Sequence, residues 1–283
     1  MNMTRSSALP EALVAAFPAS PFAIAFSGGL DSRFLAHAAA LGGLPFHLYH
    51  IRGPHVPDAE SLEALAWAKA QGMDLSVLEL DPLDIPEVRE NGRERCYGCK
   101  RRLFSLLLAR AADDGFAVLC DGSNASDQHA YRPGIRALRE LGIRSPLADA
   151  GLAKQDIRAV GAATGMDRPD QQARPCLLTR YAYGLAPDAR SLAALARAEA
   201  LIGAMLKQAC DLGRLPAPPD FRLRLVAAAP ANALPFDVEL HLAAPVPEAF
   251  AAALAGVVER EGFARPAVMV LTSLSGHYDA AIV

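Results

Sequence analysis

Short apolar runs alternate with amphipathic stretches through the first half of the chain. PFAIAF (21–26) reads as a buried strand, and after the turn that follows it Leu30, Phe34, Ala38 and Leu41 recur at helical spacing. The rhythm repeats with FHLYHI (46–51) as strand, PDAESLEALAWAKAQG (57–72) as helix and LSVLEL (75–80) as strand. A further helix, CKRRLFSLLLARAADDG (99–115), leads into the strand FAVLCDG (116–122). Strands separated by helices predict a parallel sheet with helices on both faces, an α/β fold that gathers ligands at the carboxyl ends of its strands. Phe26, Ile51, Leu80 and Asp121 mark those ends. Between Asp81 and Arg95 no period is visible and charges cluster around two prolines, which predicts a mobile functional loop.

The second half is patterned differently. DARSLAALARAEALIGAMLKQACDL (188–212) predicts one long helix, and GRLPAPPD (213–220) reads as a linker. Beyond it come FRLRLV (221–226) with strict alternation, FDVELHL (236–242), a helix from Pro247 to Gly262, and AVMVLTSL (267–274). This predicts a small α+β unit: an antiparallel pair plus one more strand, covered by a helix. The expected division is therefore 1–186 for the parallel-sheet domain and 187–283 for the long helix and the small unit, a surface for oligomerisation or substrate.

The turn between the first strand and the first helix carries the chemistry. SGGLDS (27–32) places a glycine turn at a helix N-terminus, which aims backbone N–H groups and the positive end of the helix dipole at an anion. Neither the G-x-x-x-x-G-K-[ST] string nor G-x-G-x-x-G occurs. S-G-G-x-D-S instead resembles the PP-loop ATP pyrophosphatases at every specified position. That resemblance implies ATP split between its α and β phosphates, with Ser27, Gly28, Gly29 and Ser32 cradling phosphate and Asp31 helping to hold Mg²⁺. A turn that uses glycine only for its positive φ is the plainer alternative.

Composition narrows the partners. A net charge of −3 gives no broad basic footprint, which disfavours nucleic acid. No apolar run approaches a membrane span and residues 1–20 lack a basic segment followed by an apolar one, so a cytoplasmic protein is expected. Five cysteines, two at C-x-x-C spacing, suit a reduced compartment and a metal or redox role. Cys96 and Cys99 open a helix, and Cys176 lies between Arg174 and Arg180; arginines and helix N-termini both raise thiolate character. Cys120 and Cys210 fall in apolar runs and read as small buried hydrophobes. C-x-x-C alone fits half a zinc site, a redox dithiol or two ligands of an iron–sulfur cluster. Three thiolates that leave a fourth iron open suit a [4Fe–4S] cluster.

Read together, SGGLDS, RCYGCKRRLF, DGSNASDQHAYRPGIRALRELGIRSPL and RPCLLTRYAYG resemble the ATP-dependent sacrificial sulfur transferases, the LarE family, over roughly residues 20–205. Members thiolate a pyridinium dicarboxylate mononucleotide on the way to the nickel-pincer nucleotide. The resemblance implies a PP-loop domain of adenine nucleotide α-hydrolase-like fold, adenylation of a substrate carboxylate, and displacement of AMP by sulfur. It places Cys176 at the sulfur-donating cysteine. With Cys96 and Cys99 also present, it points to the three-cysteine type, whose [4Fe–4S] cluster replaces sacrifice of the cysteine as the sulfur source. Lys100, Arg180 and Glu199 fall at or near its basic and acidic site positions. Homo-oligomers and an external sulfur donor are expected on the same ground.

The departures lie toward the C-terminus. After FRLRL the chain reads VAAAPANALPFDVEL in place of an ARIE-like strand, and LSGHYDAA replaces a Gly-Tyr-Arg-rich stretch. Arg222 and Arg224 remain as an alternating pair, fit for a phosphate or carboxylate or for a solvated strand face. The competing functions are another PP-loop enzyme, a tRNA thiolase or amide-forming synthetase, and a non-catalytic nucleotide- or cluster-binding regulator.

Overall fold

The computed structural model describes residues 9–129, 133–227, 236–274 and 276–280. Residues 228–235, within the departure after FRLRL, and 130–132, within the DGSN string, lie outside the described residues. By its contacts the chain divides into two compact units, Met1–Ile85 with Cys96–Arg174, and Pro86–Arg95 with Pro175–Val283.

The first unit holds four strands, β1 (Phe22–Ala25), β2 (Phe46–Arg52), β3 (Leu75–Glu79) and β4 (Leu119–Cys120). They pair in the order β3-β2-β1-β4, every pair parallel, giving the α/β fold the alternation predicts. Side chains of a strand point to opposite faces in turn, and here each face finds its own core. Phe22, Ile24, Leu48 and Cys120 pack with Phe34, Leu35 and Trp67 of the Leu30–Leu41 and Asp58–Ala70 helices. Ala23, Tyr49 and Leu119 pack with Leu107 and Ala111 of the Arg95–Asp113 helix and with Leu138. Burial on both faces explains why these strands read as continuous apolar runs.

Two expectations are corrected. β4 keeps only Leu119 and Cys120 of the FAVLCDG run, because Phe116 gives its N–H to the Ala111 carbonyl and Asp121 gives its own to that of Arg144, both at 2.8 Å. The 81–95 stretch, read from the sequence as a loop without structure, holds short elements. Asp81 accepts the Leu83 N–H at 2.8 Å and caps a 3₁₀ turn, Pro82–Asp84, and a short helix, Pro86–Glu90, follows. Asn91, buried at φ 49°, donates through Nδ2 to the Ala182 and Leu185 carbonyls at 2.7 Å each. Those anchors lie far along the chain, so no local period announces them.

The second unit is organised around the Ala189–Asp211 helix, N-capped by Asp188, whose carboxylate accepts the Ser191 N–H at 3.0 Å. Leu192, Leu195, Ile202 and Leu206 form its buried stripe. A three-stranded sheet contains β5 (Phe221–Ala227), β6 (Asp237–Leu242) and β7 (Ala267–Val270) in that order. β5 and β6 are antiparallel, and β6 and β7 are parallel through the Glu248–Arg260 helix. Leu223 and Leu225 of β5 are fully buried. Arg222 and Arg224, which alternate with them, are 9% and 4% exposed, so the solvated strand face is corrected: these guanidiniums are inside.

Candidate active site

β1 ends at Ala25 beneath the loop Phe26–Gly29, and the Leu30–Leu41 helix starts directly after it. Gly28 has φ +75°, and a Cβ there would lie 2.5 Å from Cβ of Ala64, so both its backbone and the approach of the neighbouring helix require glycine. Gly29 is the helix N-cap and no side chain caps the first turn, while the helical ladder begins with the Arg33 N–H on the Gly29 carbonyl at 3.0 Å. The Gly29 N–H donates to Ser27 Oγ at 3.3 Å, and the N–H groups of the first turn precede the helical ladder, the place in a helix where an anion is favoured. Ser32 Oγ lies 3.1 Å from both Ser27 Oγ and the Gly29 carbonyl oxygen, so the two hydroxyls brace the loop. Asp31, on the first turn, receives Lys154 Nζ at 3.5 Å.

Behind the loop is a buried polar bracket that the sequence did not announce. Gln171 Nε2 donates to the Gly28 carbonyl at 3.3 Å, and Gln171 Oε1 accepts from Arg33 at 2.6 Å. Arg33, 1% exposed, also donates to the Asp167 carboxylate at 2.7 Å, and Trp67 Nε1 donates to the same oxygen at 2.7 Å. Arg33 and Trp67 hold the Asp167 carboxyl below its usual range against the opposing effect of burial, and burial draws the Arg33 guanidinium down. At the end of β4, Asp121 accepts from Ser123 at 2.5 Å and from Ser145 at 2.6 Å. A Cβ on Gly122 would lie 2.8 Å from the Ser32 nitrogen, so the DGSN backbone runs hard against the first turn of the helix.

Lys154, Gln171, Gly122 and the Arg33–Asp167 pair are the residues that sequence reasoning missed. Glycine in the DGSN string was the one available signal. A lone Lys opening a helix and a Gln in a turn carry no spacing that marks them.

The cysteines divide between the units. Cys96 and Cys99, half-buried, lie one turn apart on the Arg95–Asp113 helix in the first unit, and Cys176, also half-buried, belongs to the second. None of the three is in a disulfide. Lys100 lays its stem against Gly134, with its ammonium 5.8 Å from the Phe104 ring centre. Cys120 is fully buried, and burial pushes its thiol up to about 12, as expected of a small hydrophobe. Cys210 is half-buried.

Within the second unit, Cys176 is the N-cap of a 3₁₀ turn, Leu177–Arg180, and Thr179 returns both its N–H (3.0 Å) and its hydroxyl (2.7 Å) to the Cys176 carbonyl. Arg180 grips Glu199 through two parallel hydrogen bonds, at 2.7 and 2.8 Å, and Glu199 also accepts the Leu223 N–H at 3.1 Å. Arg174 is paired with Glu63 at 2.5 Å in the first unit. Each of the two arginines that flank Cys176 in sequence thus has a carboxylate partner. Arg224 donates to the Thr179 carbonyl at 2.7 Å and to that of Leu274 at 2.5 Å, and burial draws its guanidinium down to about 10. Arg222 pairs with Asp220 at 2.6 Å. The structure thus brings Arg180, Glu199, Arg222 and Arg224 into one unit with Cys176, and Asp31, Cys96, Cys99 and Lys100 into the other.

A parallel sheet whose first strand runs through a glycine turn into a helix start without a side-chain cap defines an α/β protein with a turn of the kind that favours an anion. No family model matches the chain. It is 31% identical over 205 residues to an uncharacterized protein of Synechocystis, covering 70% of this chain and 76% of that one. It is 31% identical over 163 residues to the pyridinium-3,5-bisthiocarboxylic acid mononucleotide synthase of Lactiplantibacillus plantarum, spanning 57% of this chain and 59% of that protein's length. It is 34% identical over 143 residues to the tRNA(Ile)-lysidine synthase of Alkalilimnicola ehrlichii, spanning 44% of this chain and 31% of that protein. The two named relatives are synthases, and the likeness to them supports an enzyme with PP-loop ATP pyrophosphatase activity. Among the described residues no helix is long and apolar enough to cross a membrane.

Proposed function

We propose that this enzyme is an ATP-dependent sulfur transferase that adenylates a carboxylate of a pyridinium dicarboxylate mononucleotide and replaces AMP with sulfur. The observation that carries the reading is the uncapped helix start after Gly28–Gly29, joined to the likeness to the pyridinium-3,5-bisthiocarboxylic acid mononucleotide synthase. The N–H groups of that turn bind the β and γ phosphates, and Lys154 adds a positive charge beside Asp31. Asp31 would hold Mg²⁺, which when bound would offset the charge of the departing pyrophosphate. The substrate carboxylate attacks the α phosphorus and pyrophosphate leaves. Sulfur then attacks the acyl carbon and AMP leaves with the carboxylate oxygen.

Cys176 stands at the sulfur-delivering position, and the Arg180–Glu199 fork fixes the turn that presents it. A [4Fe–4S] cluster on Cys96, Cys99 and Cys176 is proposed from the resemblance alone; Cys96 and Cys99 lie one helical turn apart, and none of the three is in a disulfide. When bound, such a cluster would supply sulfide to the acyl adenylate. Arg224, on the Thr179 and Leu274 carbonyls, and Arg222, on Asp220, brace the unit that carries the Cys176 turn. We further propose a homo-oligomer and a cytoplasmic setting with an external sulfur donor.

The likeness to the tRNA(Ile)-lysidine synthase favours a second reading, a PP-loop enzyme acting on a different acceptor. One experiment separates them: ATP turnover with and without pyridinium dicarboxylate mononucleotide, read as AMP and pyrophosphate. AMP release that depends on this acceptor, and falls at least tenfold in Asp31→Asn, is the expected result. AMP release indifferent to it supports the second reading, and ADP release removes both.

A further inference from the structure

The second unit's sheet has one face of leucines and one of ionisable groups. Along the antiparallel ladder Arg224 stands opposite Glu239 and Arg222 opposite His241, and Glu239 and His241, two apart on β6, point to the same side. The His277–Ala280 helix sets the His277 ring edge-to-face on His241, with ring centres 4.6 Å apart. One ligand atom from each of Glu239, His241 and His277 lies within 4.8 Å of the others, and among the described residues this is the group so arranged. His241 is wholly buried; its Nε2 is 2.7 Å from Glu239 Oε2, while its Nδ1 is buried with no hydrogen-bond partner.

A structural histidine inside a protein normally satisfies both ring nitrogens. His241 satisfies one, and its other neighbour is a second imidazole rather than a donor or an acceptor chosen for it. We propose that Glu239, His241 and His277 form a binding site for one divalent transition-metal ion of the zinc, cobalt or nickel class.

The donor set selects that class. Two imidazoles and one carboxylate match borderline ions, whereas Mg²⁺ and Ca²⁺ take oxygen ligands. Arg224, opposite Glu239, raises the cost of any cation there, which a weakly held hard ion would not overcome. Its guanidinium is nevertheless turned toward the Thr179 and Leu274 carbonyls. Ligands at about 2.1 Å from a tetrahedral zinc stand roughly 3.4 Å apart, so the present group closes by an ångström or so at its widest. His277, half-buried on a short terminal helix, is the member best placed to move. Three protein ligands leave a fourth position for water or an anion.

The test uses the full chain with Cys96, Cys99 and Cys176 replaced by serine, so that thiolates do not compete, and titrates it with Co²⁺. Expected is one Co²⁺ per chain, with visible d–d absorption and no thiolate charge-transfer band. Glu239→Gln and His277→Ala should each weaken binding at least tenfold while circular dichroism stays unchanged. Zn²⁺ should raise the urea midpoint of the parent and not that of His277→Ala. Absence of saturable Co²⁺ uptake, a spectrum with thiolate bands alone, or equal affinity in parent and both variants overturns the site. Neither ATP nor acceptor enters these measurements, so the outcome stands apart from that of the sulfur-transfer reading.

Discussion

Gly28 shows how much one residue of the glycine turn is asked to do. Its φ of +75° and the 2.5 Å that would separate a Cβ from Ala64 are independent demands, one conformational and one steric. Gly28→Ala should therefore cost about 2–5 kcal/mol, the sum of a left-handed alanine and an overpacked contact. Adding Ala64→Gly should return only the steric part, which urea unfolding of the three variants will check. His55 carries a different signal. It is 7% exposed, its Nδ1 has no hydrogen-bond partner, and burial pushes it down to about 4. The folded chain keeps this ring neutral while the unfolded chain takes a proton below 6.5. Stability is thus fully present above that pH and is lost as pH falls toward 4, by up to about 3 kcal/mol. His55→Gln should flatten that slope in urea titrations between pH 7 and pH 4.

Among elements, the 3₁₀ turn at Cys176 depends on partners outside itself. Arg180 and Glu199 are 4% and 15% exposed, so the ion pair is nearly dry. Glu199→Gln leaves a buried guanidinium without its counter-charge and should lower stability by about 3 kcal/mol in equilibrium unfolding. If Glu199 acted only on substrate, stability would be unchanged and only sulfur transfer would fall. The segment after β3 teaches the same lesson. Its sequence, DPLDIPEVRENGRER, has no period because its anchors are Asp81 locally and the Ala182, Leu185 and Leu178 carbonyls at long range. A short element held by such contacts needs no amphipathic stripe.

At the scale of the molecule, the proposed sulfur transfer allows two sulfur sources, and mass separates them. Under the proposed cluster chemistry, Cys96→Ser or Cys99→Ser should abolish bound iron and multiple turnovers while ATP binding persists, and Cys120→Ser should do neither. Anaerobic iron and sulfide counts together with the mass of Cys176 after turnover make the measurement. Brown protein with unchanged mass supports the cluster. Loss of the elements of H₂S from Cys176, the change from cysteine to dehydroalanine, means that the protein gave its own sulfur and that the C-x-x-C pair serves structure.

Local chemistry was legible in the chain by itself. The alternation of apolar runs and helical stripes determined a parallel α/β sheet, because strands buried on both faces must be apolar throughout and their crossovers must be amphipathic. SGGLDS determined the glycine turn at the helix start, because glycine at positive φ followed by a helix start is a contiguous feature. The antiparallel pair and covering helix after residue 220 were equally visible in the alternation of FRLRLV and FDVELHL. Tertiary structure decided everything that depends on residues far apart meeting. It set Lys154 beside Asp31, Gln171 beneath Gly28, Glu199 against Arg180, and His277 against Glu239 and His241. It also turned Arg222 and Arg224 inward, a choice that strand alternation leaves open because either face of a two-sided strand can be the covered one. A charge's partner is a matter of distance in space, and sequence spacing encodes that distance only within a single helix or strand.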